Sequence, residues 1–194
     1  MDHQSFRRGS CSSTHGCEWT FDVMESDATI AGRFEFAGLE RGHLVAVLCN
    51  PPLTSSGMRT SARVELARQL LEYRTVESVN LFSTPTRSSG DIANIGTDAD
   101  TWMVGRPAID VALRKATGVL LAYGVSEPTG AARNHWRSQI AWLEVRLERS
   151  AAVVWQLGPQ PHHPSRWQRW THRNYPDLSF RDSVARGLQR ANCF

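Results

Sequence analysis

The chain has 194 residues, 41% of them hydrophobic and 21% charged, and a formal net charge of +3. This length lets one domain bury a core without metal or disulfide crosslinks, and the composition excludes a disordered chain. No apolar run approaches the roughly 20 residues of a membrane helix, and the first residues lack the apolar core of a signal peptide. A cytoplasmic protein without membrane contact is therefore expected.

The start of the chain is rich in Ser and Gly and predicts a flexible leader over residues 1–18, followed by a single domain over residues 19–194. Cys11, His15 and Cys17 lie in this leader, but no Cys-x-x-C pair accompanies them, so no metal site is predicted. No other cofactor is expected. The four cysteines show no crosslinking spacing and should be reduced.

The domain alternates predicted strands with predicted helices. Residues 28–38 alternate apolar and polar side chains and predict an edge strand or hairpin. Four further strands are predicted: apolar runs give buried strands at 44–49 and 118–124, and two more strands are expected at 76–82 and 151–158. Helical spacing predicts helices at 61–73, 99–116, 135–150 and 179–190. Ser61 is the expected N-cap of the first helix, and the second should break near Gly105 and Pro107.

Strands joined by helical segments of this length pair in parallel, so the expected fold class is α/β, with three layers (α/β/α) around a mainly parallel four-stranded sheet. Parallel strands bring their carboxyl ends to one edge, where such proteins bind ligands. The residues expected at this edge are Asn50 with its Pro-Pro turn, Asn80, Tyr123 with Gly124, and the loop His162-His163-Pro164-Ser165. An isolated Asn-Pro pair usually only ends a strand. Four such strand ends that meet at one edge of the sheet together indicate a ligand-binding site.

The C-terminal segment interleaves arginines with aromatic side chains, a pattern typical of surfaces that bind nucleic acid through phosphate contacts and ring stacking. The residues concerned are Arg166, Arg169, Arg173, Arg181, Arg186 and Arg190 with Trp167, Trp170 and Tyr175. A solvated amphipathic face would give the same pattern, and this feature alone favours neither interpretation.

In this order, the motifs at the strand ends resemble those of the uracil-DNA glycosylase superfamily. VLCNPPLTSSG is similar to the first motif of its mismatch-specific uracil/thymine branch, in which Gly-x-Asn-Pro-Gly ends a strand and Leu-Ser-Ser and a glycine follow. SVNLF and VLLAYG resemble the Leu-Leu-Asn and Leu-Leu-Trp-Gly strand ends of the uracil-only branch, and HHPS resembles its last motif, His-Pro-Ser-Pro. An uncharacterised bacterial domain family carrying Asn-Pro-Ser, Asn-Leu-Phe, Trp-Gly and His-Pro is similar in the same order. The resemblance covers residues 44 to about 170.

The resemblance implies a monofunctional DNA glycosylase of the uracil-DNA-glycosylase-like fold, which flips a base out of duplex DNA and hydrolyses its N-glycosidic bond. It implies catalytic roles for Asn50, which would position the attacking water, and for His163, which would donate to the base oxygen. The base-binding residues that it implies are Asn80, Phe82, Pro52 and Tyr123. The implied DNA-binding residues are Ser55, Ser56, Ser165, Arg166, Trp167 and Arg169. Arg166 and Trp167 would enter the vacated base stack, and for Tyr123 core packing is the favoured alternative.

Departures from the family pattern indicate the substrate. Pro52 stands where the uracil-only branch has a tyrosine that excludes substituents at the pyrimidine C5. The expected substrate is therefore a C5-modified pyrimidine, removed in repair or in defence against phage DNA. The activating acid of several branches has no counterpart, which leaves two alternatives: a module of the same fold that binds a modified base without cleaving it, and a hydrolase of free nucleosides. No obligatory protein partner is implied.

Two pairs of residues have open roles. Asp98 and Asp100 form a helix N-cap pair or give distant catalytic support, and capping is favoured. Either His162 or His163 could face the site, and His163 is preferred because Pro-Ser follows it directly.

Overall fold

The computed structural model of the protein describes residues 41–53, 57–87 and 89–191. The predicted leader with its cysteines and the predicted hairpin at 28–38 lie outside these residues, as do Ser55 and Ser56. Among the described residues, no helix is long and apolar enough to cross a membrane.

One sheet lies at the centre of the described residues. Its strands are β1 (Arg41–Leu48), β2 (Tyr73–Asn80), β3 (Gly118–Ala122), β4 (Val153–Leu157) and β5 (Leu188–Arg190). Their order is β2-β1-β3-β4-β5, with β1 to β4 parallel and β5 antiparallel to β4. The predicted α/β class and mainly parallel sheet are confirmed.

The predicted number of four strands is wrong, because the last predicted helix ends early. The chain leaves that helix at Gly187, whose carbonyl accepts a hydrogen bond of 2.8 Å from the Gly158 amide at the end of β4. This contact directs the next three residues along β4, where Leu188 pairs with Leu157. Residues predicted as the last helical turn therefore form a fifth strand at the sheet edge.

The helices occur between the strands, largely where the apolar spacing predicts them. They are α1 (Met58–Leu70), α2 (Ile92–Ile95), α3 (Ala99–Met103), α4 (Arg106–Lys115), α5 (Ala132–Glu148), α6 (Trp167–Asn174) and α7 (Phe180–Gly187). The first begins at Met58, and Ser61 is not its N-cap: the Ser61 hydroxyl donates to the Gly57 carbonyl within the first turn.

The second predicted helix breaks as expected. Helix α3 ends before Gly105, and α4 restarts with Pro107 in its first turn, where a missing amide proton costs nothing. The Asp98 side chain accepts a hydrogen bond of 3.2 Å from the Thr101 amide, which confirms Asp98 as the N-cap of α3.

Side chains alternate between the two faces of the sheet and divide the core in two. On one face, named here the α4/α5 face, Val45 and Val47 pack with helices α2 to α5. On the other, the α1/α6 face, Leu44, Ala46 and Leu48 pack with α1, α6 and α7. The described residues thus form helical layers on both sides of the sheet, as predicted.

Candidate functional site

The carboxyl ends of the three central strands lie side by side. Leu48 at the end of β1 pairs with Asn80 of β2 and with Ala122 of β3. Paired residues on parallel strands project to the same face, and neighbouring strands are about 4.8 Å apart. Asn50 follows Leu48 by two residues, and Gly124 follows Ala122 by two residues. Asn50, Asn80 and Gly124 therefore lie at one edge of the sheet, and the pairing with Leu48 puts Asn80 on the α1/α6 face.

The loop after β4 brings His163 to the same place. The Gly124 amide donates to the Pro161 carbonyl over 2.7 Å, which fixes this loop across the end of β3. A Cβ atom on Gly124 would lie 3.3 Å from the Cβ of His163, and the φ angle of Gly124 is +95°. Both the close approach and the left-handed backbone require glycine here. The Tyr-Gly strand end therefore makes room for the imidazole.

The two histidines of the loop have different surroundings. The ring of His162 packs on Trp170, with 5.7 Å between ring centroids, and its carbonyl accepts a hydrogen bond from the indole of Trp167. His163 instead lies against Gly124. His163 is thus the histidine at the sheet edge, in line with the preference from sequence.

Hydrogen bonds fix the side-chain amide of Asn50. Its Nδ2 lies 3.1 Å from the Pro51 carbonyl oxygen and 2.7 Å from the Thr86 hydroxyl. Because a carbonyl oxygen can only accept, the atom that faces it must be the amide nitrogen. The Oδ1 atom of Asn50 makes no hydrogen bond to any described residue and is available to accept one from a ligand or a water.

Thr86 is held in turn by the loop that contains Asn50. It is 5% exposed, its amide donates to the Pro51 carbonyl, and its carbonyl accepts from the Leu53 amide, both over 3.3 Å. The chain at Thr86 also forms a parallel bridge with Pro52. The turn after β2 and the Asn-Pro-Pro turn therefore support each other.

The His163 ring has a defined proton position. Its Nδ1 accepts a hydrogen bond of 3.2 Å from the Ser165 amide and lies 2.9 Å from the Ser165 hydroxyl. An amide N–H can only donate, so Nδ1 carries no proton and the neutral ring carries it on Nε2. Burial, together with the charges of Arg166 and Arg63, lowers the pKa of His163. His163 is therefore a neutral donor at neutral pH, and its Nε2 has no partner among the described residues.

Asn80 presents an unsatisfied acceptor. Its Oδ1 is buried and, within the described part of the chain, has no hydrogen-bond partner. Leaving such an oxygen unsatisfied costs about 1–3 kcal/mol, so native proteins rarely do so without a reason. A ligand that donates to Asn80 would remove this cost.

The structure corrects two of the implied base contacts. Phe82 is fully buried and its ring lies 4.6 Å from that of Trp102, on the α4/α5 face. Tyr123 also projects to this face, since it follows Ala122 by one residue, and packs 5.9 Å from Trp136. Both rings belong to the core. The assignment of Phe82 and Tyr123 as base contacts is wrong, and the core-packing interpretation of Tyr123 is confirmed.

Tyr123 is mostly buried and projects away from the face of the sheet that Asn80 occupies. Burial, with a smaller effect from the charge of Glu144, raises the pKa of its hydroxyl to about 12. Tyr123 borders a cleft of about 270 Å³ together with Trp136 and Glu144, and neither Asn50 nor His163 lines it. The cleft nevertheless shares Gly124 and Pro161 with the turn that holds the His163 loop, so it borders the candidate site from the α4/α5 face.

Trp167 is a third correction. Its side chain is fully buried on the α1/α6 face, and its indole N–H donates to the His162 carbonyl over 2.8 Å. Helix α6 begins at this residue and turns it inward, whereas Arg166 and Arg169 remain exposed. A ring that fills the core cannot enter a base stack, so the assignment of Trp167 as a wedge is wrong.

Pro52 and Ser165 are both exposed beside the site. Pro52 lies against the start of α1: a Cβ on Gly57 would come within 2.7 Å of its Cγ. Glycine at this position allows the Pro-Pro turn to pack on the helix. Ser165 orients the imidazole of His163 through the hydrogen bonds described above.

Two contributors to the site do not follow from the sequence patterns. One is Thr86, within a segment that predicts only a turn. The other is Arg63 of α1, whose Nη1 donates to the Pro164 carbonyl over 2.5 Å and whose guanidinium lies over the Phe180 ring at 5.3 Å. Neither carries a local motif, because both act on residues far away in the chain.

Comparisons of the chain with protein-family models, with curated proteins and with solved structures find no match. In residues 41–53, 57–87 and 89–191, no group of three or more His, Cys, Asp or Glu side chains could hold a metal ion.

The hydrogen bond from Asn50 to Thr86 gives a testable prediction. Thr86→Val keeps the branched shape and removes the hydroxyl, so it should lower the free energy of unfolding by about 1–2 kcal/mol and shift the Asn50 side-chain amide signals in an NMR spectrum. Thr86→Ser is the matched control, since it keeps the hydroxyl. If the Asn50 amide signals were the same in both variants, the hydroxyl would not hold Asn50.

Proposed function

We propose that the protein is a DNA glycosylase that hydrolyses the N-glycosidic bond of a pyrimidine flipped out of duplex DNA. The observation that carries this proposal is that two neighbouring strand-end loops present a free acceptor, Asn50 Oδ1, and a neutral donor, His163 Nε2–H, neither of which has a partner in the described residues. The unsatisfied oxygen of Asn80 lies at the same edge of the sheet as Asn50.

The chemistry of base release needs these two groups. As the bond from the sugar C1′ to the base nitrogen breaks, positive charge grows on the sugar and negative charge on the base. Asn50 Oδ1 can accept a hydrogen bond from a water and aim its oxygen at C1′. His163 Nε2–H can donate to the base oxygen, and one such donor typically stabilises the transition state by about 3 kcal/mol. The water supplies hydroxide to the sugar and a proton to the departing base.

Asn80 fits the recognition of a pyrimidine. Its buried Oδ1 can accept from the ring N–H of a uracil or thymine type base, or from the amino group of a cytosine. Because the oxygen lacks a partner in the described residues, binding such a base would remove a cost already present in the free protein.

The position of Pro52 supports a C5-modified pyrimidine as the substrate. Its ring packs towards Gly57 and the chain there is bridged to Thr86, so no bulky side chain projects from this position. A substituent on the pyrimidine C5 would meet no wall from Pro52. Such a base would be removed in repair or in defence against phage with modified DNA.

A DNA strand is the proposed partner because the chain that follows His163 carries exposed cations. The arginines directly after His163 in the chain, all of them exposed, are Arg166, Arg169 and Arg173. Arg181 and Arg190 are also exposed but lie elsewhere, against Gln69 in the last turn of α1 and over the Trp155 ring of β4. A polymer of phosphates would contact several of the arginines after His163 together, whereas a free nucleoside carries no phosphate.

A module that binds a modified base without cleaving it is the second candidate. It is favoured by one observation: the charges that act on His163 are both positive, from Arg63 and Arg166. No carboxylate of the described residues hydrogen-bonds to Asn50 or His163, so water attack would depend on position rather than on a strong base.

Mass spectrometry of the bases released from a panel of duplexes tests the proposal. The panel carries uracil, thymine opposite guanine, and hydroxymethylated or glycosylated pyrimidines, and alkali reveals abasic sites. We expect one free modified base and an abasic site at its position. Binding without release would identify the module, and turnover of free nucleosides alone would identify a nucleoside hydrolase.

A further inference from the structure

Two guanidinium groups near His163, those of Arg63 and Arg166, and that of Arg59 next to Arg63 have no carboxylate partner in the described residues. Arg59 and Arg63 lie one turn apart on α1, and Arg166 follows Ser165. Elsewhere on α1, Arg68 forms an ion pair of 2.7 Å with Glu65. Arg59 and Arg63 on the same helix have no such partner in the described residues. The cations around His163 are left uncompensated.

Contacts and charges bring these arginines to one place. Arg63 is half-buried and donates to the carbonyl of Pro164, the residue after His163. Burial and the charge of Arg59 lower the pKa of Arg63, and the charges of Arg166 and Arg63 act in the same direction on His163. Arg59 and Arg63 therefore repel each other on α1, and Arg63 and Arg166 both act on the imidazole.

Such an arrangement is costly unless an anion completes it. Like charges four residues apart destabilise a helix, and a partly buried guanidinium without a carboxylate loses hydration. Helix α1 begins at Met58, so Arg59 also lies in its first turn, where the backbone dipole favours negative charge. The repulsion between the arginines, the lost hydration and the helix dipole all favour an anionic ligand.

We propose that Arg59, Arg63 and Arg166 form a subsite for a backbone phosphate of a DNA strand, directly beside His163. The fork of an arginine matches two phosphate oxygens, which a lysine does not. This subsite deepens the proposed function, because it names the group of the DNA that α1 would hold, but it requires binding only and no bond cleavage.

Occupation of the subsite has a consequence for His163. The charged groups that face this ring are Arg166 from its own turn and Arg63 from α1, while the end of β3 contributes the uncharged Gly124. Burial is the largest cause of the lowered pKa of His163, and it remains when the strand binds. A phosphate offsets the two positive charges that add to it, so the pKa of His163 should rise on binding and stay below its ordinary value. Binding and protonation are thereby coupled.

The test uses a ten-nucleotide single-stranded DNA with unmodified bases. Affinity is measured by fluorescence anisotropy over a range of salt concentrations, and the His163 ring is titrated by NMR with and without saturating DNA. Arg59 makes no side-chain hydrogen bond to a described residue, so Arg59→Gln should fold normally. We expect it to weaken binding about 3- to 10-fold and to reduce the salt slope by about 1.

Arg114→Gln is the matched control, because it removes the same charge from the exposed end of α4 on the opposite layer. Arg63→Lys keeps the charge but loses the fork, and should weaken binding less than Arg63→Gln. The subsite is refuted if Arg59→Gln and Arg63→Gln bind like Arg114→Gln, or if DNA leaves the pKa of His163 unchanged. Since no modified base is present, this result is independent of whether the protein cleaves DNA.

Discussion

Asn50→Ala should slow base release by about 100-fold or more in single-turnover assays on the modified duplex that the wild-type protein cleaves. The substitution removes the oxygen that would hold the attacking water, and a misplacement of about 1 Å is enough for such a loss. His163→Ala should give a loss of about 100- to 1000-fold, because it removes the donor to the base oxygen.

The slower base release expected for Asn50→Ala must be distinguished from a loss of folding. Asn50 also donates to Thr86 and Pro51, so Asn50→Ala should cost about 1–2 kcal/mol of stability, which a folded domain tolerates. Asn134→Ala, on the exposed side of α5, is the control and should cleave at the wild-type rate. An Asn50→Ala protein that is folded and still cleaves normally would exclude the role given to Asn50.

Strands β1, β3 and β4 follow from the sequence because each contains an apolar run, whereas β2 mixes polar and apolar residues and is buried only at Tyr73 and Val79. Residues 44–48 are almost completely buried, and no alternating pattern competes with a strand there. The three-residue strand β5 has no such run. It exists because the Gly187 carbonyl meets the end of β4, a tertiary contact that local pattern does not contain.

The polar residues of the site could be predicted for the same reason. Asn50, Asn80 and His163 each follow or end a strand, and parallel pairing alone brings strand ends together. Thr86 and Arg63 could not, since they act across 36 and 101 residues of chain respectively. Their contacts depend on how two loops and α1 pack.

The burial of the aromatic residue Trp167 could not be predicted from the sequence. A pattern of Arg and Trp indicates an amphipathic helix but does not say which side faces the core until the helix is docked. The structure begins α6 at Trp167, and so turns this ring inward and leaves Arg166 outside. Ring chemistry alone suggested a DNA contact, whereas burial assigns Trp167 to packing.

Trp167→Ala should lower the free energy of unfolding by about 3–5 kcal/mol, measured by urea denaturation followed with circular dichroism. The ring is fully buried among Leu157, Val184 and their neighbours, so truncation removes apolar contacts and leaves a cavity. It also leaves the His162 carbonyl without its indole donor. Trp167→Phe keeps most of the volume and should lose much less.

Arg166→Ala separates the two interpretations of this segment. It removes an exposed side chain next to Trp167, so it should change stability by less than about 0.5 kcal/mol while weakening DNA binding and its salt dependence. A wedge at Trp167 would give the reverse for Trp167→Ala: nearly unchanged stability and weaker DNA binding. Because the buried Trp167 ring and the exposed Arg166 guanidinium occupy adjacent positions, the two variants distinguish a residue that stabilises the fold from a residue that binds DNA.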